Sequence, residues 1–255
     1  MKTRAIAEAR IKTDKIDSSI LAHLLRTDLL PTSYIAPRQI RDIREILRYR
    51  ASLVSLRTSV KNKVHAILSK SGVRVEASDI FGKKAIRSLR ECTLRACYQQ
   101  GLDGYLRLVE MLNALINEVT ETIKSLVEDH PQAKLLMTIP GISYYSALLI
   151  ISEIGDISRF PSARKLASYA GLVPSVSSSG GRTRYGSITK QGSKWLRWIL
   201  VELSYHFIRA SGRMHKISTR VGNKHGRNTA RVAVAREMLK IIYLMLRDNR
   251  AFIRD

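Results

Sequence analysis

Three consecutive serines, Ser177, Ser178 and Ser179, stand directly before Gly180 and Gly181, and Arg182, Arg184 and Lys190 follow with no acid among them. A small hydroxyl on a flexible turn can act as a nucleophile, and cations around it can neutralise a phosphate in transfer. The stretch therefore holds components for phosphoryl transfer on nucleic acid. The same residues equally suit an ordinary solvated loop. A second group lies in KTDKID, Lys12 to Asp17. On a helix, Asp14 and Asp17 project from one face because they are three apart. Paired hard oxygens of this kind can hold Mg²⁺. They also suit a helix start, with Thr13 or Asp14 as the cap and Asp17 as a solvated charge. Two carboxylates rarely complete a nuclease site, so such a site needs further acids from elsewhere.

The elements that must carry these residues belong to a strongly basic chain. Among 255 residues, 44 Lys and Arg stand against 21 Asp and Glu, a net charge of +23. A globular chain this basic most often meets a polyanion, and nucleic acid leads the candidates over an anionic membrane surface. No run approaches the roughly 18 apolar residues of a membrane span, and the N-terminus has no apolar core of a signal peptide. The expected setting is the cytoplasm. Cys92 and Cys97 cannot build a disulfide framework and have no His or Cys partners at zinc-site spacing. GxGxxG, Walker A, HExxH and GxSxG motifs are absent, so ordinary nucleotide-binding and hydrolase readings lose support.

In chain order, residues 3–27 read as a helix, with apolar residues recurring near a period of 3.6. Pro31 and Pro37 bracket an extended linker. Residues 38–70 read as a long helix with an apolar stripe and a cationic rail suited to a phosphate backbone. Residues 76–100 are less regularly helical. Over 102–126 the intervals Leu102, Tyr105, Val109, Leu112, Ile116, Val119, Ile123, Leu126 alternate three and four, a heptad seam. This seam fits a self-associating coiled coil or an intramolecular helix pair. β-branched residues at its a-like positions favour self-association, hence a homo-oligomer. Residues 135–155 read as helix, turn at Pro140-Gly141, helix. This is a helix-hairpin-helix-like element whose turn, at Gly141 and Ser143, would meet a DNA phosphate; a plain αα-hairpin fits equally, because Ser143 replaces the usual second glycine. Residues 162–170 form a short helix and Lys194–Ala210 an amphipathic one. Residues 211–228 read as a loop-rich basic connector, and a last helix starts near Thr229. Thirteen Lys and Arg lie between Arg182 and Arg236 against one acid, Glu202, which is the densest signal of nucleic-acid contact.

Read together, IAEARIKTDKIDSSILAHLLRTDLLP, LRTSVKNKVHAILSKSGV, LMTIPGISYYSALLIISEIG, SSGGRTRYGSITKQGSKWLRWILVE and RVAVAREMLKIIYLML resemble consecutive motifs of one family. It is the DEDD insertion-sequence transposases, the bridge-RNA-guided recombinases of the IS one-ten and IS eleven-eleven type. The resemblance runs over essentially the whole chain. It implies a mainly α chain in three parts. Residues 1–30 would be a helical remnant of a RuvC-like, RNase H-fold domain. Residues 31–130 would be a basic helix and coiled coil, and residues 131–255 an all-α C-terminal transposase domain with a catalytic serine. It implies Ser179 as the nucleophile, with Ser178 as fallback if the register differs by one. Asp14 and Asp17 would be the last two of the four acids, with Mg²⁺ as cofactor. Arg182, Arg184, Lys190, Lys194 and Arg197 would contact DNA, and a guide RNA would be a further partner. The family's first Asp and its Glu belong to a strand-rich region ahead of KTDKID, whereas this chain starts at Met1, just ahead of Asp14. The expectation is an N-terminally truncated copy of impaired activity. The alternative is a non-catalytic nucleic-acid-binding remnant that co-assembles with full-length transposase.

Overall fold

The computed structural model describes residues 13–29, 34–74 and 79–253. Contacts divide the chain into two units, Met1–Pro37 and Arg38–Asp255. In the first, α1 (Asp14–Arg26) starts at Thr13, whose side chain accepts a hydrogen bond from the Ile16 N–H, as the capping reading requires. The part of the expected 3–27 helix before Thr13 lies outside the described residues.

The second unit begins with α2 (Arg38–Lys70), then α3 (Lys83–Glu91), α4 (Ala96–Glu128), α5 (Pro131–Leu136), α6 (Tyr144–Ile154), a 3₁₀ turn at Ile157–Arg159 and α7 (Ala163–Tyr169). A β-hairpin follows, β1 (Pro174–Ser179) and β2 (Arg182–Ile188), then α8 (Lys194–Ala210), α9 (Gly212–His225) and α10 (Arg227–Asp248). The chain is mainly α, as expected. The two strands correct the all-α expectation for its C-terminal part, and α9 replaces the connector expected at 211–228. No helix among the described residues is long and apolar enough to cross a membrane.

Helices α2 and α4 have 33 residues each, roughly 50 Å at 1.5 Å per residue. They pair antiparallel: Arg50 Nε donates to Thr120 Oγ1 and Arg57 Nη1 to Asn113 Oδ1, both at 2.9 Å, so seven residues up one helix match seven down the other. The heptad seam is the buried face of this pair, with Leu102, Val109 and Ile123 at 0% exposure and Ile116 at 5%. α2 of the same chain covers the seam, which is the intramolecular helix pair that the heptad pattern also fits. The cationic rail on α2 is also largely engaged within the chain. Arg44 and Arg48 reach Glu153, and Arg50 lies 4.7 Å from the Tyr145 ring centre. Lys61 covers Phe81 and Lys63 covers Tyr105. Long basic side chains beside a helix seam bury their stems and place their heads on polar or aromatic groups. Arg38 and Arg41 remain exposed.

Two cores result. Val64, Leu68, Leu89, Leu102 and Leu106 form a small one at the far end of the α2–α4 pair. The large one joins Leu47, Ile123 and Val127 to α5–α8 and α10, so the expected middle and C-terminal parts share one interior. At its centre, α6 is buried from Ser146 to Ile154, which a helix apolar on all sides requires.

Candidate functional site

The serine stretch forms the tip of the β-hairpin. Ser179 pairs with Arg182, Ser178 with Thr183, Ser177 with Arg184 and Val176 with Tyr185. The turn is Gly180-Gly181, with φ of +55° and +75°. Two left-handed residues in succession make the tight turn whose twist suits a hairpin, and glycine meets that need without a Cβ penalty. Directly opposed residues share a face and faces alternate along a strand. Ser177, Ser179, Arg182 and Arg184 therefore stand on one face, and Val176, Ser178, Thr183 and Tyr185 on the other. The register separates the candidate nucleophile from its fallback: Ser178 Oγ lies 3.4 Å from Thr183 Oγ1 on the face away from the guanidiniums. Residues 177–187 are all exposed. The hairpin holds no Asp, Glu or His, so it supplies a hydroxyl and cations but no general base.

The base of the hairpin is held tightly. Thr189 N–H donates to Val173 O and Ser193 N–H to Tyr169 O. Gly192, at φ +84°, lies so near the Tyr169 carbonyl that a Cβ would collide with it. Arg197 is half-buried, and its Nη1 donates to Ala170 O at 3.0 Å. It thus also has a structural task at the base, beside its expected DNA contact. Lys190 and Lys194 are exposed beside it, Lys194 in the first turn of α8.

Ser193 ties this base to the interior. Its hydroxyl accepts from Leu196 N–H, capping α8, and donates to Glu153 Oε2 at 2.8 Å. Glu153 is 4% exposed on the buried α6. A buried carboxylate must be paired, and Arg48 Nη2 at 3.2 Å and Arg44 Nε at 3.8 Å from α2 supply the charges. Arg44 Nε also donates to Ser152 O at 2.8 Å, and Arg159 Nη1 to Ile154 O at 3.1 Å. These contacts satisfy carbonyls at the buried C-terminus of α6, where cations also suit the helix dipole. Glu153, Arg44 and Arg48 were not among the expected site residues. The one signal in the sequence was an acid inside an otherwise apolar helix.

In the turn before α6, Gly141 is exposed and backs onto His206 of α8. Ser143 is the N-cap of α6, in a reciprocal box with Ser146. Both expected phosphate-contact residues therefore have packing or capping tasks.

In the first unit, Asp14 and Asp17 lie in the first turn of α1, and Asp17 is half-buried, its Oδ1 without a hydrogen-bond partner. Mg²⁺ is commonly held by one or two carboxylates, with waters and substrate phosphates completing the octahedron. This donor set fits that ion, and the orphaned Asp17 oxygen offers it a ligand. No group of three or more His, Cys, Asp or Glu suited to a metal occurs among the described residues.

Two family models match the sequence. "Transposase IS116/IS110/IS902 family" matches residues 133–219, from α5 through the serine hairpin into α9. A DEDD-type IS110 model, described as "Transposase", matches residues 1–72, including Asp14 and Asp17. The chain belongs to this insertion-sequence transposase family. Relatives agree. The transposase for insertion sequence element IS1111A of Coxiella burnetii is 29% identical over 223 residues, covering 81% of this chain and 58% of the relative. The transposase for insertion sequence element IS1328 of Yersinia enterocolitica is 27% identical over 209 residues, covering 80% and 63%. The pilin gene-inverting protein of Moraxella bovis is 33% identical over 148 residues, covering 56% and 45%. The chain thus spans less than two thirds of the length of these transposases, and both expected groups of catalytic residues fall within family-matched segments.

Proposed function

We propose that this transposase cleaves and exchanges DNA strands through Ser179. The observation that carries the reading is the shared hairpin face of Ser179, Arg182 and Arg184. In the step, Ser179 Oγ forms a bond to a DNA phosphorus and a P–O bond to the sugar breaks. The serine proton passes to solvent water, and the leaving sugar oxygen takes a proton from solvent. A phosphoserine–DNA link stores the bond for rejoining to another strand. Arg182 and Arg184 neutralise the charge that grows on the non-bridging oxygens. The glycine turn leaves the approach to the phosphorus open, and the clamped base fixes the hairpin's direction. In the first unit, Asp14 and Asp17 would hold Mg²⁺, which when bound can polarise a phosphoryl oxygen. The cations of the hairpin suit contact with a phosphate backbone, which positions nucleic acid without reading its sequence. This favours a division of labour in which a guide RNA reads sequence by pairing and the protein reads the backbone.

A second reading follows from the lack of a general base on the hairpin. Here the chain binds nucleic acid without chemistry and co-assembles with a full-length transposase. One assay separates the two. The chain is incubated with donor and target DNA, guide RNA and Mg²⁺ beside Ser179→Ala. A denaturation-resistant protein–DNA adduct in the wild type and none in Ser179→Ala is expected. Binding without an adduct in either protein would establish the second reading.

A further inference from the structure

Helices α9 and α10 enclose a cleft of about 940 Å³ that lies outside the hairpin. One wall carries Arg213, Lys216 and Arg220. Their spacing of three and four puts them on one stripe of α9, and all three are exposed. The other wall carries Arg236 of α10, which is half-buried, with its Nε out of solvent and without a hydrogen-bond partner. A buried donor without an acceptor costs free energy that a ligand oxygen would recover. Glu237, the acid of the lining, is held 2.6 Å from Lys240 Nζ. The N-terminal end of α9 opens on the cleft at Gly212, which adds the positive end of a helix dipole. Four cations therefore converge on a space whose acid is already neutralised. Its other lining residues include Ile217, Val221 and Ala233, and no aromatic side chain.

We propose that this cleft grips the phosphate backbone of a nucleic-acid duplex. Without an aromatic platform it cannot stack unpaired bases, which is how single strands are held. Without a glycine-rich phosphate loop it does not suit a free nucleotide. What remains is repeated contact with phosphates, independent of sequence. The proposal rests on the reading that the chain works on DNA and does not need the chemistry of Ser179.

The test is equilibrium binding of the full chain across a salt series. The probes are a short DNA duplex, an RNA duplex of the same sequence and a thymidine single strand. The cleft variant is Arg213→Gln/Lys216→Gln/Arg220→Gln. The control, Lys70→Gln/Arg164→Gln/Lys165→Gln, removes the same charge at other exposed positions. The cleft variant should show a log K against log salt slope shallower by roughly two to three units on a duplex, about 0.9 for each phosphate that is no longer neutralised. The control should change it little, and both should keep the wild-type Tm. Weaker binding to the DNA duplex, the RNA duplex or both supports the proposal and identifies the source of the backbone. An equal effect in the control, an unchanged slope, or an effect confined to the single strand overturns it. If wild type and Ser179→Ala both fail to form an adduct while the cleft effect holds, the chemistry fails and the cleft stands.

Discussion

Glu153 shows how one side chain sets the geometry of the site. It joins two arginines of α2 to the Ser193 cap of α8, and Ser193 is bonded to Tyr169 at the hairpin base. Removing one partner of a buried ion pair costs about 3–5 kcal/mol because the other charges remain buried. Arg48 is partly exposed, so Glu153→Gln should lose toward the lower end, about 3 kcal/mol, read as a lower urea midpoint with an unchanged m-value. A variant as stable as wild type would show that the pair does not hold the base. Individual site residues were unequally legible in the sequence. Asp14, Asp17 and Ser179 are candidates that stand in local motifs, and the roles proposed for them come from the family resemblance. The partners of Glu153 lie more than a hundred positions away on α2, and no local pattern connects them.

At the scale of elements, the long helices announced themselves by apolar periodicity. The structure places α2 at Arg38–Lys70 and α8 at Lys194–Ala210, the bounds that the periodicity implies. Two elements were hidden by composition. The β-hairpin is a run of Ser, Gly and Arg with both faces exposed, so it lacks the in–out alternation that marks a strand. Helix α9 was masked by Gly212, Gly222 and Gly226, although Met214, Ile217 and Val221 keep a helical spacing toward the interior. Gly212 and Gly226 sit at the ends of α9, where such residues are at home, but Gly222 is internal. A Cβ there would meet only Ala230 Cβ, at 3.7 Å, an ordinary contact. Gly222→Ala should therefore stabilise the protein by about 0.5–1 kcal/mol. This would appear as a rise in Tm; a fall would mean that α9 packs on α10 more closely than that distance implies.

At the scale of the whole molecule, the α2–α4 pair runs from the large core to a small core of its own, and its seam is closed within one chain. Polar substitution of the seam therefore attacks the fold before any assembly. Ile116→Asn should destabilise by about 2–4 kcal/mol, the cost of a large buried apolar side chain replaced by a polar one. Helical circular dichroism would then disappear at lower temperature. A variant that keeps its full stability yet halves its sedimentation mass would instead make the seam an intermolecular interface. The seam is visible in the sequence but its partner is not, because a heptad pattern is the same whether the matching helix comes from the same chain or another. The charge of the molecule was plain in composition, whereas its distribution was not: the expected rail on α2 is largely engaged within the chain, and exposed cations gather on the hairpin and in the α9–α10 cleft. Ser179 Oγ is the proposed attacking atom. The most direct measurement is peptide mass mapping of the protein–DNA adduct after nuclease and protease digestion. A residual nucleotide on Ser179 is predicted. A nucleotide on Ser177 or Ser178, or DNA cut with none on the hairpin, would contradict the account.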